Sequence, residues 1–394
     1  MTAIAFPPEV ADQQRFAYDL LDRLVSATLV RSAVDLAYAY DATGNRVQEM
    51  RNGAVSQYTV AETSNRLQAI SGATTRSMSY NTTGSLTSDR DIAFGYDARE
   101  RMVTAGSTSY YVSGLDQRIE KAGPGTNTPS GVRQFLYDEQ GHLLGEYDGG
   151  NGAPIAEHIY LGDWPVGLIQ GDTVYYVHPD QLGAPRVVTR ATDNQTMWAW
   201  QREPFGAGIV QTVGGFAYNL RFPGQYYDAE TGMHYNYFRD YDPSIGRYVE
   251  SDPIGLKGGL DTYVYVMNTP LQLIDPDGLF HIPSPPRPRL GTFCGSGILE
   301  PFIPDVSLWP RYSFTEPCRK HDACYSACGK SREQCDSTFH EDMVAECHKL
   351  LNSYANWRCK QGARDYYAAV SWLGGSAFRE AQKKCVGACY AKVD

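Results

Sequence analysis

Cysteine is missing from the first 293 residues of this 394-residue chain; all nine cysteines lie from Cys294 onward. Long apolar runs are missing as well. No stretch approaches about eighteen uninterrupted apolar residues, so the sequence supports no transmembrane helix. The opening MTAIAFPPEVADQQRF has neither a basic n-region nor an apolar h-region, so no signal peptide is expected. Positive charge is scarce, 35 Lys and Arg against 45 Asp and Glu, and it forms no strong basic patch. That argues against nucleic acid as the main partner. Charge divides where cysteine does: residues 1–279 carry 20 basic and 33 acidic groups, net −13, while 280–394 are net +3. At roughly 100 to 200 residues per domain the length predicts two or three domains. With 42% apolar and 12% aromatic residues the chain is expected to fold.

What is present first is a repeat. Tyr18-Asp19 leads to Arg23-Leu24, Tyr40-Asp41 to Arg46-Val47, and Tyr96-Asp97 to Arg101-Met102. Weaker copies are Asn65-Arg66-Leu67, Tyr80-Asn81 with Gly84, and Tyr137-Asp138 with His142-Leu143. Units start roughly 16 to 22 residues apart, the mark of stacked supersecondary units. Each reads as a short strand, a turn and a second short strand with alternating apolar positions. Such units bury their apolar face only against neighbours, which predicts an extended twisted sheet. Residues 1–279 hold 22 of the 28 tyrosines. Tyr is expected to pack its ring on the pleated surface with its hydroxyl hydrated at the edge, and Asp to start the turn.

These repeats resemble the Rhs/YD-repeat family, whose repeats form a spiral β-shell around a toxic carboxy-terminal cargo. The most specific stretch is 221–279, with Tyr226-Tyr227-Asp228, Glu230-Thr231-Gly232, Arg239 to Pro243 and Gly246-Arg247-Tyr248 all matching the core-associated segment. The resemblance implies a toxin delivered by secretion machinery and paired with a cognate immunity protein. It also implies a chain that is cytoplasmic before export, and a shell longer than this one.

Two Asp-Pro-x-Gly-Leu motifs follow, Asp252 to Leu256 and Asp275 to Leu279. Read from the residues alone, both are Pro-Gly turns or a pair of carboxylates. Two carboxylates held together cannot both ionise cheaply, so the pair can act as acid and base on a peptide bond. The resemblance implies self-cleavage between Leu279 and Phe280, with Asp252 and Asp275 as the aspartyl pair and Arg247 as its helper. After the cut, HIPSPPRPRL reads as a stiff polyproline linker.

The last segment changes character. Along Cys318 to Lys330, His321, Cys324, Tyr325 and Cys328 share one face of a helix that Gly329 stops. A second helix starts at Ser331-Arg332-Glu333, with Cys335, Phe339, Met343 and Cys347 at every fourth position and Asp336 beside them. A short connection makes the helices antiparallel neighbours, so His321 can face Asp336. Ahead of them, Phe293-Cys294-Gly295-Ser296-Gly297 can turn carbonyl oxygens toward a hard cation, and Asp322 can add a carboxylate. Cys318, His321, Cys324 and Cys328 read alternatively as zinc ligands, although one helix makes a poor tetrahedron.

The motif Cys-x-x-His-Asp-x-Cys-Tyr, with Cys-Gly-x-Gly before it and Cys335-Asp336 after it, resembles secreted phospholipase A2. Carried over, His321 is the base, Asp336 orients it and Tyr325 bonds Asp336; Asp365 is a rival for the orienting role. Calcium falls to Asp322 and the carbonyls of Phe293, Gly295 and Gly297, and disulfides to Cys294 with Cys318 and Cys324 with Cys335. Ile298 stands where many members have a further glycine. The apolar run from Ile298 to Ile303 with Trp309 suits a phospholipid membrane surface, or ordinary core.

The expectation is thus a multidomain β plus α chain. A YD-repeat twisted β-sheet, part of an Rhs shell, spans 1–220 and a core-associated segment spans 221–279. A linker at 280–291 leads to a disulfide-rich α-helical phospholipase A2-like domain at 292–394. The expected activity is calcium-dependent hydrolysis of the sn-2 ester; the alternative is a non-catalytic lipid- or receptor-binding cysteine-rich module.

Overall fold

A computed structural model describes residues 14–30, 32–279, 281–283, 306–307, 312–326, 330–349 and six positions between 356 and 367. The chain divides into two compact units, Met1–Ser284 and Pro285–Asp394. The expected separation of 221–279 from the repeats does not appear. The strands of that segment are buried and share cores with the repeats, so it folds as part of the first unit.

In the first unit the repeat strands form two sheets, each in chain order with neighbouring strands antiparallel. Seven run from Gln14–Tyr18 to Arg76–Ser77 and fourteen from Ser79–Tyr80 to Gly208–Thr212. Burial alternates along them, as in Ala54–Val60 and Thr108–Val112, so one face carries the core.

The Tyr-Asp pair builds the turn by two separate means. Register shifts at Tyr18, Tyr40, Tyr96 and Tyr137, a bulge that bends the strand into the turn. The next residue's carboxylate then caps the loop: Asp41 Oδ1 accepts from the amides of Thr43, Gly44 and Asn45, each at 2.9 Å. Asp97 and Asp138 accept from the amides two and four residues on. At three of these turns the tyrosine hydroxyl is bonded to a backbone carbonyl rather than left at the sheet edge. Tyr40 donates to the Leu24 carbonyl at 2.8 Å, Tyr96 to Leu86 at 2.8 Å and Tyr137 to Arg118 at 2.9 Å. A tyrosine ring spans the space to the preceding unit, and a buried hydroxyl needs a partner there. Each tyrosine therefore stitches its unit to the one before.

Segment 221–279 adds a four-stranded sheet, Tyr226–Asp228, Met233–Asn236, Arg239–Asp242 and Arg247–Tyr248, almost every residue buried. Met233, Ile245 and Val249 join Leu67, Ile70 and Phe94 of the repeats in one apolar cluster. Buried charges tie the two parts. Arg118 pairs with Asp228 and, at 3.0 Å, with Asp240, and Arg76 pairs with Asp89 and, at 2.7 Å, with Asp242.

The second unit contributes helix α1, Thr315–Ser326, and helix α2, Arg332–His348. Ser331 and Gln334 close a capping box at the start of α2. Cys335, Phe339, Met343 and Cys347 all lie on its buried face, the last three against Phe314, Cys359 and Ala363. Among the described residues no helix is long and apolar enough to cross a membrane.

Candidate functional site

The site in the second unit is set by helical periodicity. On α1, His321 and Tyr325 are one turn apart and both are buried; on α2, Asp336 is 3% exposed. A disulfide joins Cys324, the neighbour of Tyr325, to Cys335, the neighbour of Asp336, and fixes the helices at that level. Asp336 Oδ1 accepts from His321 Nε2 at 2.8 Å and from the Tyr325 hydroxyl at 2.7 Å. The bond assigns the imidazole proton to Nε2 and leaves Nδ1 as the basic nitrogen. Phe339 stacks on the imidazole at 4.5 Å. Burial lowers the histidine pKa, and the bond to Asp336 works against that. A buried, neutral imidazole held by a carboxylate is suited to taking a proton from water.

His321, Asp336 and Tyr325 thus come together. Asp322 follows His321 on α1; its side chain and that of Cys318 lie outside the described set. Phe293, Cys294, Gly295, Gly297, Cys328, Gly329 and Asp365 also lie outside the described residues. Cys347 and Cys359 form a disulfide that the sequence reading left unpaired. The stacking of Phe339 was missed too; its position one turn from Cys335 on the buried face was the available signal.

A second constellation lies in the first unit, around the two Asp-Pro motifs. One guanidinium nitrogen, Nη2 of Arg239, stands 3.1 Å from Asp252 and 3.3 Å from Asp275. Nε of the same side chain donates to the Gly278 carbonyl. Asp275 accepts from the Tyr248 hydroxyl at 2.8 Å and from the Leu279 amide at 3.0 Å, so the last residue before the expected cut is pinned. Burial pushes Asp252 up to about 6; Arg239 opposes this and the charge of Asp275 adds to it. Glycine makes the approach feasible. A Cβ at Gly258 would lie 2.4 Å from Asp252 Oδ2, and Gly278, at φ +75°, would set one 2.5 Å from the Asn236 carbonyl.

Arg247 is not the helper of this pair. Its guanidinium donates to the Asn65 carbonyl, stands 3.8 Å from Asp261 and lies over the Tyr263 ring. The position is held by Arg239 instead, because its strand runs beside Asp275 to Gly278 while Arg247 points toward the repeats. The sequence FRDYDP carried Arg239 in plain view, but spacing alone does not tell which arginine reaches a motif 36 residues away.

With this geometry established, comparison with known proteins adds two matches. Residues 304–374 match the family described as prokaryotic phospholipase A2, and residues 165–259 match the Teneurin YD-shell. The chain is 29% identical over 269 residues to double-stranded DNA deaminase toxin A of Burkholderia cenocepacia, covering 62% of this chain and 17% of that protein. It is 39% identical over 108 residues to toxin protein Tse5 of Pseudomonas aeruginosa, covering 27% of this chain and 8% of that one. A 110-residue stretch is 39% identical to the putative uncharacterized protein YibJ of Escherichia coli, 28% of this chain and 46% of that one. The chain therefore spans less than half the length of each of these relatives. Among solved structures, TcdB2-TccC3 aligns at 17% identity and a TM-score of 0.38, over 68% of this chain and 18% of that one.

Proposed function

We propose that this chain, which belongs to the Rhs/YD-repeat polymorphic toxins and ends in a phospholipase A2-like segment, is a toxin tail that hydrolyses membrane phospholipids. The observation that carries the reading is the buried triad: His321 and Tyr325 on one helix converge on a single oxygen of Asp336 on the next, within a stretch matching prokaryotic phospholipase A2. Asp336 holds the imidazole in one tautomer, Nδ1 removes a proton from water, and the water oxygen attacks the sn-2 ester carbonyl. The leaving alkoxide regains the proton from the imidazolium. Asp322 with the carbonyls of Phe293, Gly295 and Gly297 would offer calcium an all-oxygen donor set. Calcium held there would supply polarisation of the ester carbonyl.

The relative named as a DNA deaminase toxin aligns over 62% of this chain and 17% of its own length, so the activity in its name is not carried over to this chain. Delivery by secretion machinery and a cognate immunity protein belong to the same proposal, supported by the relatives named as toxins.

The test is fatty-acid release from phospholipid vesicles by the oxidised full chain in calcium. His321→Ala is expected to lower the rate by a factor on the order of a thousand. Equal rates for wild type and variant would overturn the reading, and vesicle binding that survives His321→Ala, Asp322→Ala and chelation without any hydrolysis would favour the lipid-binding module.

A second reading rests on the other constellation: the chain cuts itself after Leu279. Water adds across the bond, its oxygen to the Leu279 carbonyl carbon and a proton to the Phe280 nitrogen, with Asp252 and Asp275 as acid and base and Arg239 between them. Mass spectrometry of the expressed chain locates the cut, and an intact Asp252→Asn chain beside a cut wild type is the expected result.

A further inference from the structure

The expected cut after Leu279 does not coincide with the division between the compact units. The first unit continues to Ser284. Beyond the cut, Ile282–Pro283 forms a strand antiparallel to Leu273–Ile274, with Leu273 opposite Pro283 and Ile274 opposite Ile282. The loop of this hairpin runs from Asp275 to His281. One member of the aspartyl pair and the bond to be broken therefore sit in the same closed loop.

We infer that Ile282–Pro283 is the substrate-side strand of the self-cleavage site, docking on Leu273–Ile274 to hold the Leu279–Phe280 bond beside Asp275. The inference rests on the self-cleavage reading. The amino side of the bond is held by Asp275 and Asp277, which accept from the Leu279 amide at 3.0 and 3.2 Å, and by Arg239 on the Gly278 carbonyl. Without a second anchor the carboxyl side would swing freely past the pair. The paired strand supplies that anchor through main-chain pairing, as extended peptides do when they dock on a strand. His281, half-buried between anchor and bond, lies within electrostatic reach of Asp275.

Magnitude makes the device one-way. While the chain is intact the pairing is intramolecular, and two residues suffice to bias a short loop. After the cut the same two residues would have to offset the freedom lost when separate chains associate, which so short a pair cannot do. The strand presents the bond and then lets the new amino terminus go.

Ile282 carries the one main-chain N–H of this strand, because Pro283 has none. The test follows cleavage of the freshly synthesised full chain over time in wild type, Ile282→Val and Ile282→Pro. Ile282→Pro, which removes the strand N–H, is expected to cut about tenfold more slowly than Ile282→Val, which keeps it. Equal rates for Ile282→Pro and wild type would overturn the inference. Hydrogen exchange of the uncut Asp252→Asn chain separates the inference from its premise. Protection across Leu273–Ile274 that is lost on adding Ile282→Pro supports the docking even if the wild type never cuts. Absence of that protection refutes the docking whatever the cleavage result.

Discussion

Asp336 shows how much one oxygen atom can organise. It accepts from both His321 and Tyr325, so removing the phenol leaves the imidazole held but less well aimed. Tyr325→Phe is expected to slow lipid hydrolysis about fivefold, the loss of one bond of about 1 kcal/mol, while Asp336→Asn should cost far more because it reverses the tautomer preference. Initial rates on vesicles measure both. In the first unit the corresponding residue is Arg239. Arg239→Gln should abolish self-cleavage, whereas Arg247→Gln should leave the cut in place and lower stability through its bond to Asn65. The pH dependence follows from Asp252. Its folded pKa of about 6 keeps it protonated below that value, so the acid of the pair is lost as pH rises through 6. Cleavage is expected to fall about tenfold per unit above that point, read from time courses between pH 5 and 8.

At the scale of elements, the apolar core of the two helices is small among the described residues. The described cluster consists of Phe314, Phe339, Met343, Ala363 and two half-cystines, Cys347 and Cys359. The Cys324–Cys335 bridge lies level with the triad and the Cys347–Cys359 bridge lies at the far end of α2. Cys324→Ser with Cys335→Ser should therefore cost about 2 to 4 kcal/mol and lower hydrolysis further by loosening His321 from Asp336. Thermal melts with and without reductant, alongside rate measurements, distinguish the two effects. The cysteine-free repeats should melt at the same temperature in both conditions.

Across the whole first unit, the repeats and segment 221–279 behave as one structure because charges are buried between them. Arg118 is about 1% exposed and pairs with Asp228 and Asp240, which belong to the segment. Arg118→Ala leaves both carboxylates without their guanidinium and is expected to cost about 3 to 5 kcal/mol. Because Asp240 follows Arg239, self-cleavage should slow in parallel; denaturant titration of the uncut Asp252→Asn chain measures the first effect and cleavage of the otherwise wild-type chain the second.

The sequence by itself determined what depends on neighbours in the chain. The Tyr-Asp spacing marked the turns because an Asp carboxylate reaches amides two and four residues ahead, and the four-residue period of α2 marked its buried face. Helical spacing and the short connection to α2 let His321 face Asp336, and the resemblance to secreted phospholipase A2 implied the roles of Asp336 and Tyr325. What tertiary structure alone decided depends on residues far apart in the chain. Arg239 rather than Arg247 serves the aspartates, because strand pairing carries one toward Asp275 and the other toward Asn65, 182 residues away. The hydroxyls of Tyr40, Tyr96 and Tyr137 turn inward for the same reason: whether a phenol meets water or a carbonyl is settled by the unit packed behind it, which local spacing does not record.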